Sequence, residues 1–286
     1  MRELILTVSE EFDGRQLQEF LRSRGFSRRI IVKLKHATDG VTRDGVLIRT
    51  IDTVYTGDKI RVLMQDEGGL IPNPDLKAGV AYEDEDVIVF DKPPYMAVHP
   101  SIKHSSDTLG NLFAAMYPDT PFRAINRLDR NTSGLCVCAK NKLAAAGLSK
   151  KVQKVYYAVV DGDMGKGEID VPVGRVEDSI IYRNVTPDGQ YALTLYEGIL
   201  HQNNRTLVRV ILKTGRTHQI RVHFAYVGFP LCGDGMYGGS LEAIDRHALH
   251  CGEVSFPHPV TGEQITLSSP IPDDMQKLLD DNRGNK

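Results

Sequence analysis

The sequence predicts an α+β fold with a small basic module ahead of a larger domain. Strand candidates cluster and do not alternate strictly with helices, which disfavours a doubly wound parallel sheet. A Gly-, Pro- and Asp-rich stretch, QDEGGLIPNPDLKAG at 65–79, reads as a linker. The chain has 286 residues, enough for one or two domains at about 150 residues each. The predicted division is therefore a module at 1–64, a linker at 65–79 and a larger domain at 80–286. With 41% hydrophobic and 25% charged residues the composition is that of an ordinary globular protein. A chain of this length can bury a core without help from disulfides or metal.

In the module, QLQEFLRSRGF places Leu17, Phe20 and Leu21 at helical spacing, with Gly25 as a stop. Ser27 is the expected N-cap of a second helix, RRIIVKLKHA, and short strands are expected at 45–48 and 59–64. Residues 1–64 hold twelve Lys/Arg and nine Asp/Glu, a local balance of +3, whereas the whole chain carries −2. Six of these cations (Arg22, Arg24, Arg28, Arg29, Lys33 and Lys35) fall in one run without acids. That run fits a local RNA-binding surface, and it equally fits the solvated face of two amphipathic helices. The overall charge argues against holding nucleic acid by bulk positive charge alone.

Beyond the linker, VAYEDEDVIVFDKP reads as a strand, an acidic turn and a buried strand VIVF that Pro93 and Pro94 end. Further strands are expected at 134–140, 154–162, 193–200 and 206–212, and helices at 108–117 and 141–152. The first residues carry Glu3, Glu10 and Glu11, so no signal peptide is expected. No run of about 18 apolar residues occurs, so no membrane partner is expected. The cysteines Cys136, Cys138, Cys232 and Cys251 have no CxxC spacing and read as free thiols of a cytoplasmic protein, with no zinc.

Three constellations carry chemistry. In NRLDRNTSGL, Asp129 sits between Arg127 and Arg130. Neighbouring cations favour an ionised carboxylate, which suits a nucleophile or general base; a surface salt-bridge cluster capping a turn is the alternative. In LKTGRTHQIRVH, Arg216, His218, Gln219, Arg221 and His223 crowd together behind a Thr-Gly turn. Such a set can hold phosphates and sugar hydroxyls and orient a carboxylate. The two histidines are five apart with no Glu between them, so a metal site is not expected. In KVYYA, strand alternation puts Lys154, Tyr156 and Ala158 on one side and Tyr157 on the other, so Tyr156 either stacks on a base or packs in the core. No GxxxxGK[ST], strand-following GxGxxG or GxSxG motif is present, so no cofactor is expected.

Taken together, RLDRNTSGL, KVYYA and LKTGRTHQIRVHFAYVGFPLCGDGMYG resemble the RluA-type family of RNA pseudouridine synthases. So do DKPPYMAVHP at 91–100, with TLGNL behind it, and RHALHCGEVSFPHPVTGE at 246–263. The five blocks run in the family's order over roughly 80–275. Residues 1–64 resemble, more loosely, the small alpha-L RNA-binding domain that often precedes this catalytic domain. The resemblance implies a mostly antiparallel mixed sheet with flanking helices and a central cleft. It implies isomerisation of uridine to pseudouridine in RNA without a cofactor; a monomer is the default expectation. Large-subunit ribosomal RNA is the implied substrate and transfer RNA the alternative.

The resemblance also assigns roles. Asp129 acts on the sugar–base unit, by covalent addition or by abstracting a ribose proton. Arg221 clamps Asp129, and Tyr156 stacks on the uracil and helps to remove its C5 proton. Arg127 fills the space of the extruded base, while Arg130, Lys154, Arg216, His218 and Gln219 contact RNA or sugar. One position departs from the family: Asn126 stands where a His usually precedes RLD, which rules out an imidazole there and leaves the Asp-centred chemistry untouched. A non-catalytic RNA-binding or RNA-folding factor on the same scaffold is the competing reading.

Overall fold

A computed structural model describes residues 2–26, 28–36, 40–64, 70–101, 104–177, 179 and 181–280. Ser27, the expected N-cap, and residues 65–69 of the expected linker lie outside these residues. The chain divides into two compact units, 1–69 and 70–286.

The smaller unit contains β1 (Arg2–Thr7), β2 (Arg15–Gln16), α1 (Leu17–Ser23), α2 (Arg28–His36), β3 (Val41–Arg43), β4 (Val46–Leu47), β5 (Thr53–Val54) and β6 (Lys59–Met64). Both expected helices are present. One sheet runs β1-β6-β3-β4, and β2 pairs with β5. Leu17, Phe20 and Leu21 of α1 are fully buried, as their spacing requires. They pack with Ile31 and Leu34 of α2 and with Val41, Ile60 and Val62 of the sheet.

The larger unit begins with β7 (Gly79–Glu83), β8 (Val87–Lys92), α3 (Leu109–Met116), β9 (Ser133–Ala139), α4 (Lys142–Leu148) and β10 (Gln153–Asp161). It continues with β11 (Lys166–Asp170), a ribbon of β12 (Val173–Arg175) and β13 (Arg183–Val185), β14 (Leu193–Gln202) and β15 (Arg205–Leu212). It closes with α5 (Gln219–Tyr226), β16 (Leu249–Pro257), β17 (Gln264–Ser268) and α6 (Asp273–Asp280). The main sheet has the order β11-β14-β15-β10-β16-β9-β8-β7, with β17 added on β16. Its ladders are antiparallel except β16–β9, which is parallel. This is the α+β fold with a mixed, mostly antiparallel sheet that the sequence predicts. No helix among the described residues is long and apolar enough to cross a membrane.

Burial on both faces explains why β8 and β9 read as continuous apolar runs. Val87–Phe90 and all of Ser133–Ala139 are buried. Gly134 is required where β9 pairs closely with β16: its φ is +107°, and a Cβ there would lie 2.3 Å from the Cys251 carbonyl oxygen. The Thr-Ser-Gly after Asp129 is thus a point of close strand pairing as well as turn chemistry.

Two expectations need correction. Residues 70–79 belong to the larger unit and are not linker. Asn111 Nδ2 donates to the Ile71 carbonyl at 2.8 Å, and the Asn73 N–H donates to the Asn111 carbonyl at 3.0 Å. The apolar side chains of Leu76 and Ala78 pack on the main core. Composition resembles a linker because an extended, Pro-rich segment bonds to the first turn of α3 without forming an element of its own. The second correction is α5, where the sequence shows only a crowded polar turn. Gln219, Ile220, Arg221, Val222, His223 and Phe224 are all buried, so no amphipathic stripe exists to be seen.

Candidate active site

A cleft of 610 Å³ opens above the main sheet in the larger unit. Ala97–Pro100, Ile125–Asp129 and Thr132 form one side, Lys154 and Tyr156 of β10 form the floor, and Gly215–Arg221 form the other side.

Asp129 stands in the loop entering β9, with its side chain 30% exposed. Its Oδ2 lies 3.3 Å from Arg221 Nη1 and 3.8 Å from His218 Nε2. The loop is braced from below by its carbonyls. Lys92, fully buried, donates to the Arg130 carbonyl at 3.2 Å and to those of Pro93 and Met96 at 2.8 Å each. Arg246, also buried, donates to the Asn131 carbonyl at 3.2 Å, while Asp274 of α6 grips its guanidinium at 2.6 and 2.8 Å. The Thr132 N–H closes the turn onto the Asp129 carbonyl at 3.1 Å. The Thr132 hydroxyl meets His247 Nε2 at 2.8 Å, and that of Ser133 meets His250 Nδ1 at 2.9 Å. The RHALHC block therefore has a function: it fixes the loop that carries Asp129. Burial brings the Lys92 pKa down to about 7 and that of His247 down to about 2.

Arg221 reaches Asp129, but its bidentate partner is a residue the sequence reading missed. Asp234 accepts from Nε and Nη2 at 2.7 Å each, leaving Nη1 for Asp129. Burial works against the Arg221 charge, and the hydrogen bonds and charge of Asp234, together with Asp129 and Tyr237, more than offset it, so the pKa is raised. Tyr237, also missed, places its ring against the group, with the guanidinium carbon over the ring 4.9 Å from its centroid. The Tyr237 oxygen is 2.8 Å from His218 Nδ1. The only sequence trace of this pair is GDGMYG, which the resemblance matched without assigning a role.

The other expected residues divide. Tyr156 and Lys154 line the cleft together, as strand alternation requires. Tyr156 is 6% exposed, and burial raises its hydroxyl pKa well above the ordinary value. Lys154 donates to the Val152 carbonyl at 3.0 Å, and burial lowers its pKa. Arg127 is exposed and lines the cleft. Arg216 also lines it, with its guanidinium held by the Tyr191 carbonyl at 2.9 Å and Gln190 Oε1 at 3.1 Å. Arg130 is exposed, turns to Asn131 Oδ1 at 3.3 Å and is not a lining residue.

Gln219 lines the cleft, with its amide engaged inside the fold. Its amide donates to the Leu193 carbonyl and Thr194 Oγ1 and accepts from the Arg216 N–H and the Thr214 hydroxyl. A buried amide with all its bonds used inside the fold positions the turn before α5 and has none left for substrate. Asn126 is structural in the same way: it donates to the Leu135 carbonyl at 3.1 Å and accepts from the Val137 N–H at 2.8 Å.

Outside the cleft, Asp84, Asp86 and His258 bring potential ligand atoms within 4.8 Å of one another. His258 Nε2 is 2.9 Å from Asp84 Oδ2, and its Nδ1 accepts from the Val260 and Thr261 N–H groups. The imidazole is thus engaged at both nitrogens and serves as a brace.

Residues 86–226 match the family model described as RNA pseudouridylate synthase. The chain is 39% identical over 277 residues to YjbO of Bacillus subtilis, described as an uncharacterized RNA pseudouridine synthase, covering 92% of this chain and 98% of that one. The chain belongs to the RluA-type family of RNA pseudouridine synthases. It is an isomerase that converts uridine to pseudouridine in RNA. It is also 39% identical over 228 residues to the ribosomal large subunit pseudouridine synthase D of Vibrio cholerae, covering 71% of this chain and 70% of that one. The likeness to that of Escherichia coli is 32% over 309 residues, covering 97% and 94%. Among solved structures, human RNA pseudouridylate synthase domain containing 1 shares the fold, with a TM-score of 0.57 and 24% identity over 70% of this chain and 85% of that one.

Proposed function

We propose that this synthase isomerises uridines of large-subunit ribosomal RNA, acting as a cytoplasmic monomer, with Asp129 as its catalytic group. The observation that carries the catalytic assignment is the Asp129 carboxylate, part-exposed in a cleft and 3.3 Å from a fixed guanidinium. The ribosomal assignment is supported by the relatives named large subunit pseudouridine synthase D.

The reaction breaks the bond from N1 to C1′, turns the uracil and joins its C5 to C1′, so no oxidant or reductant is consumed. The target base first leaves its stack, at a cost of a few kcal/mol, and stacking on Tyr156 offsets that cost. Arg127, exposed and lining the cleft, fills the vacated position in the RNA. Asp129 then acts on the sugar–base unit. Covalent addition and proton abstraction both need a carboxylate held in place, and Arg221 Nη1 holds it at 3.3 Å. The raised Tyr156 pKa keeps its phenol protonated at neutral pH, which favours stacking over a role as phenolate base. In the smaller unit, the exposed cations Arg22, Arg28 and Lys35 support a role in RNA affinity.

The test is tritium release from large-subunit ribosomal RNA, and separately transfer RNA, carrying uridine tritiated at C5. Release by the wild type from the ribosomal transcript and none by Asp129→Asn is the expected result. Equal release by both proteins removes Asp129 from the mechanism, and release from transfer RNA alone removes the ribosomal assignment. Full biological effect from Asp129→Asn instead favours the RNA-folding reading. Residues 70–286 alone should fold, bind RNA more weakly and show a shallower salt dependence.

A further inference from the structure

Tyr237 stands where three parts of the larger unit meet. Its own turn carries Asp234, whose carbonyl accepts the Tyr237 N–H at 2.9 Å. Its ring backs the Arg221 guanidinium. Its hydroxyl oxygen accepts the backbone N–H of Arg183, in β13 of the ribbon, at 3.2 Å. The same oxygen is 2.8 Å from His218 Nδ1. The oxygen accepts from the ribbon, and among the described contacts the imidazole nitrogen is the one acceptor within reach of its own proton, so the phenol is assigned as donor to Nδ1. A phenol donating to Nδ1 requires that nitrogen to carry a lone pair, so the neutral ring holds its proton on Nε2.

Nε2 is the atom that faces Asp129 Oδ2, at 3.8 Å. With the proton there, His218 presents a donor toward the carboxylate and toward any sugar hydroxyl beside it. With the opposite tautomer it would present a lone pair to an anion, which is repulsive. The backbone supports this placement. His218 has φ +59°, a left-handed conformation that is strained for a non-glycine residue and that clusters at functional sites. Burial lowers the His218 pKa, Asp129 opposes this, and Arg221 and Arg183 add to it, so the ring is neutral at neutral pH.

We propose that Tyr237 is a positioning residue of the synthase site: it sets the tautomer of His218 so that an N–H faces Asp129, and it fixes the plane of Arg221. This rests on the Asp129-centred reading above. The ribbon β12–β13 takes part because its backbone N–H donates to the phenol oxygen, whose own proton goes to the imidazole.

The test uses the full chain, labelled with ¹⁵N. Long-range proton–nitrogen correlations, with the His218 signals assigned by His218→Gln, report which ring nitrogen is protonated. The expected result is Nε2–H in the wild type and a mixture of tautomers in Tyr237→Phe. In tritium release from a large-subunit ribosomal RNA transcript, Tyr237→Phe should lower kcat about tenfold, the loss of one hydrogen bond, with KM within about twofold. Tyr237→Leu, which also removes the ring behind Arg221, should lower kcat further. A wild-type proton on Nδ1 overturns the proposal. So does a Tyr237→Phe variant in which the tautomer moves without kcat, or kcat without the tautomer. Equal losses in the Phe and Leu variants overturn the Arg221 part. If the wild type releases no tritium, the functional reading fails, while the nitrogen spectra still decide the tautomer.

Discussion

The charged groups of the smaller unit stay at its surface, whereas the larger unit buries several of its own. Arg43 and Asp58 pair at 3.0 Å with side chains 33% and 18% exposed. Among residues whose side chains are described, the smaller unit buries no Lys, Arg, Asp or Glu, while the larger unit buries Lys92, Arg221, Asp234 and Arg246. The difference fits the tasks proposed for the two units. A surface that meets RNA phosphates needs cations in water, where they are inexpensive to maintain. A site that must hold one carboxylate in place needs charges removed from water, where each demands a partner or several carbonyls. The cost is local to the larger unit, and so are the consequences of disturbing it.

The sharpest way to break this contrast is Lys92→Met. It leaves three carbonyls without their donor, and it should destabilise the larger unit by about 3 kcal/mol or more, at about 1–3 kcal/mol for each acceptor left unsatisfied. Thermal unfolding should show that unit melting early with the smaller unit unmoved; a shift worth less than about 1 kcal/mol would contradict the view that Lys92 braces the Asp129 loop. Arg221→Lys comes next. An ammonium cannot grip Asp234 with two bonds and still reach Asp129, so activity should fall roughly 100-fold, about 3 kcal/mol, with Tm little changed. Activity within threefold of wild type would mean that the guanidinium geometry is dispensable.

Acid provides a third test. His247 ionises at about 2 in the fold, against an ordinary value near 6.5. Between those values the unfolded chain binds a proton that the folded chain refuses, so stability rises with pH and is lost as pH falls below about 6.5. His247 contributes up to about 1.4 kcal/mol per pH unit in that window. His99, His218, His223 and His250 are shifted in the same direction. Melting curves at pH 7 and 5 should show the larger unit weakening, and His247→Gln should flatten the slope; an unchanged slope removes His247 as its source. The smallest effect is expected from Arg43→Ala, under about 1 kcal/mol for a part-exposed pair. A larger loss in chemical denaturation would show that the smaller unit also relies on its charges.

Most elements that bury a recognisable stripe or a continuous apolar run were legible in the sequence. Leu17, Phe20 and Leu21 announce α1, and VIVF announces β8, because burial acts on side chains at fixed periods. The same logic failed for α5, where Gln219, Arg221 and His223 are buried between apolar neighbours. It failed in a different way for residues 70–79, whose extended backbone bonds to α3 without a period of its own. At the site, Asp129, Tyr156 and Arg221 were readable from ordered motifs. Asp234 and Tyr237 were not, since neither lies in a charged cluster that draws attention. Gln219, which lines the cleft while its amide braces a turn, could not be resolved from sequence, because a polar side chain in a crowded motif looks the same whether it faces a ligand or braces a turn.

The sequence by itself determined the α+β class, the family and the carboxylate at position 129, because these depend on residue identity, order and local period. The tertiary structure decided which groups hold that carboxylate and its loop: Lys92 and Arg246 beneath, and Asp234 and Tyr237 behind Arg221. These contacts join residues far apart in the chain, and a hydrogen bond or ion pair forms wherever donor and acceptor meet in space, leaving no spacing in the sequence by which to read it.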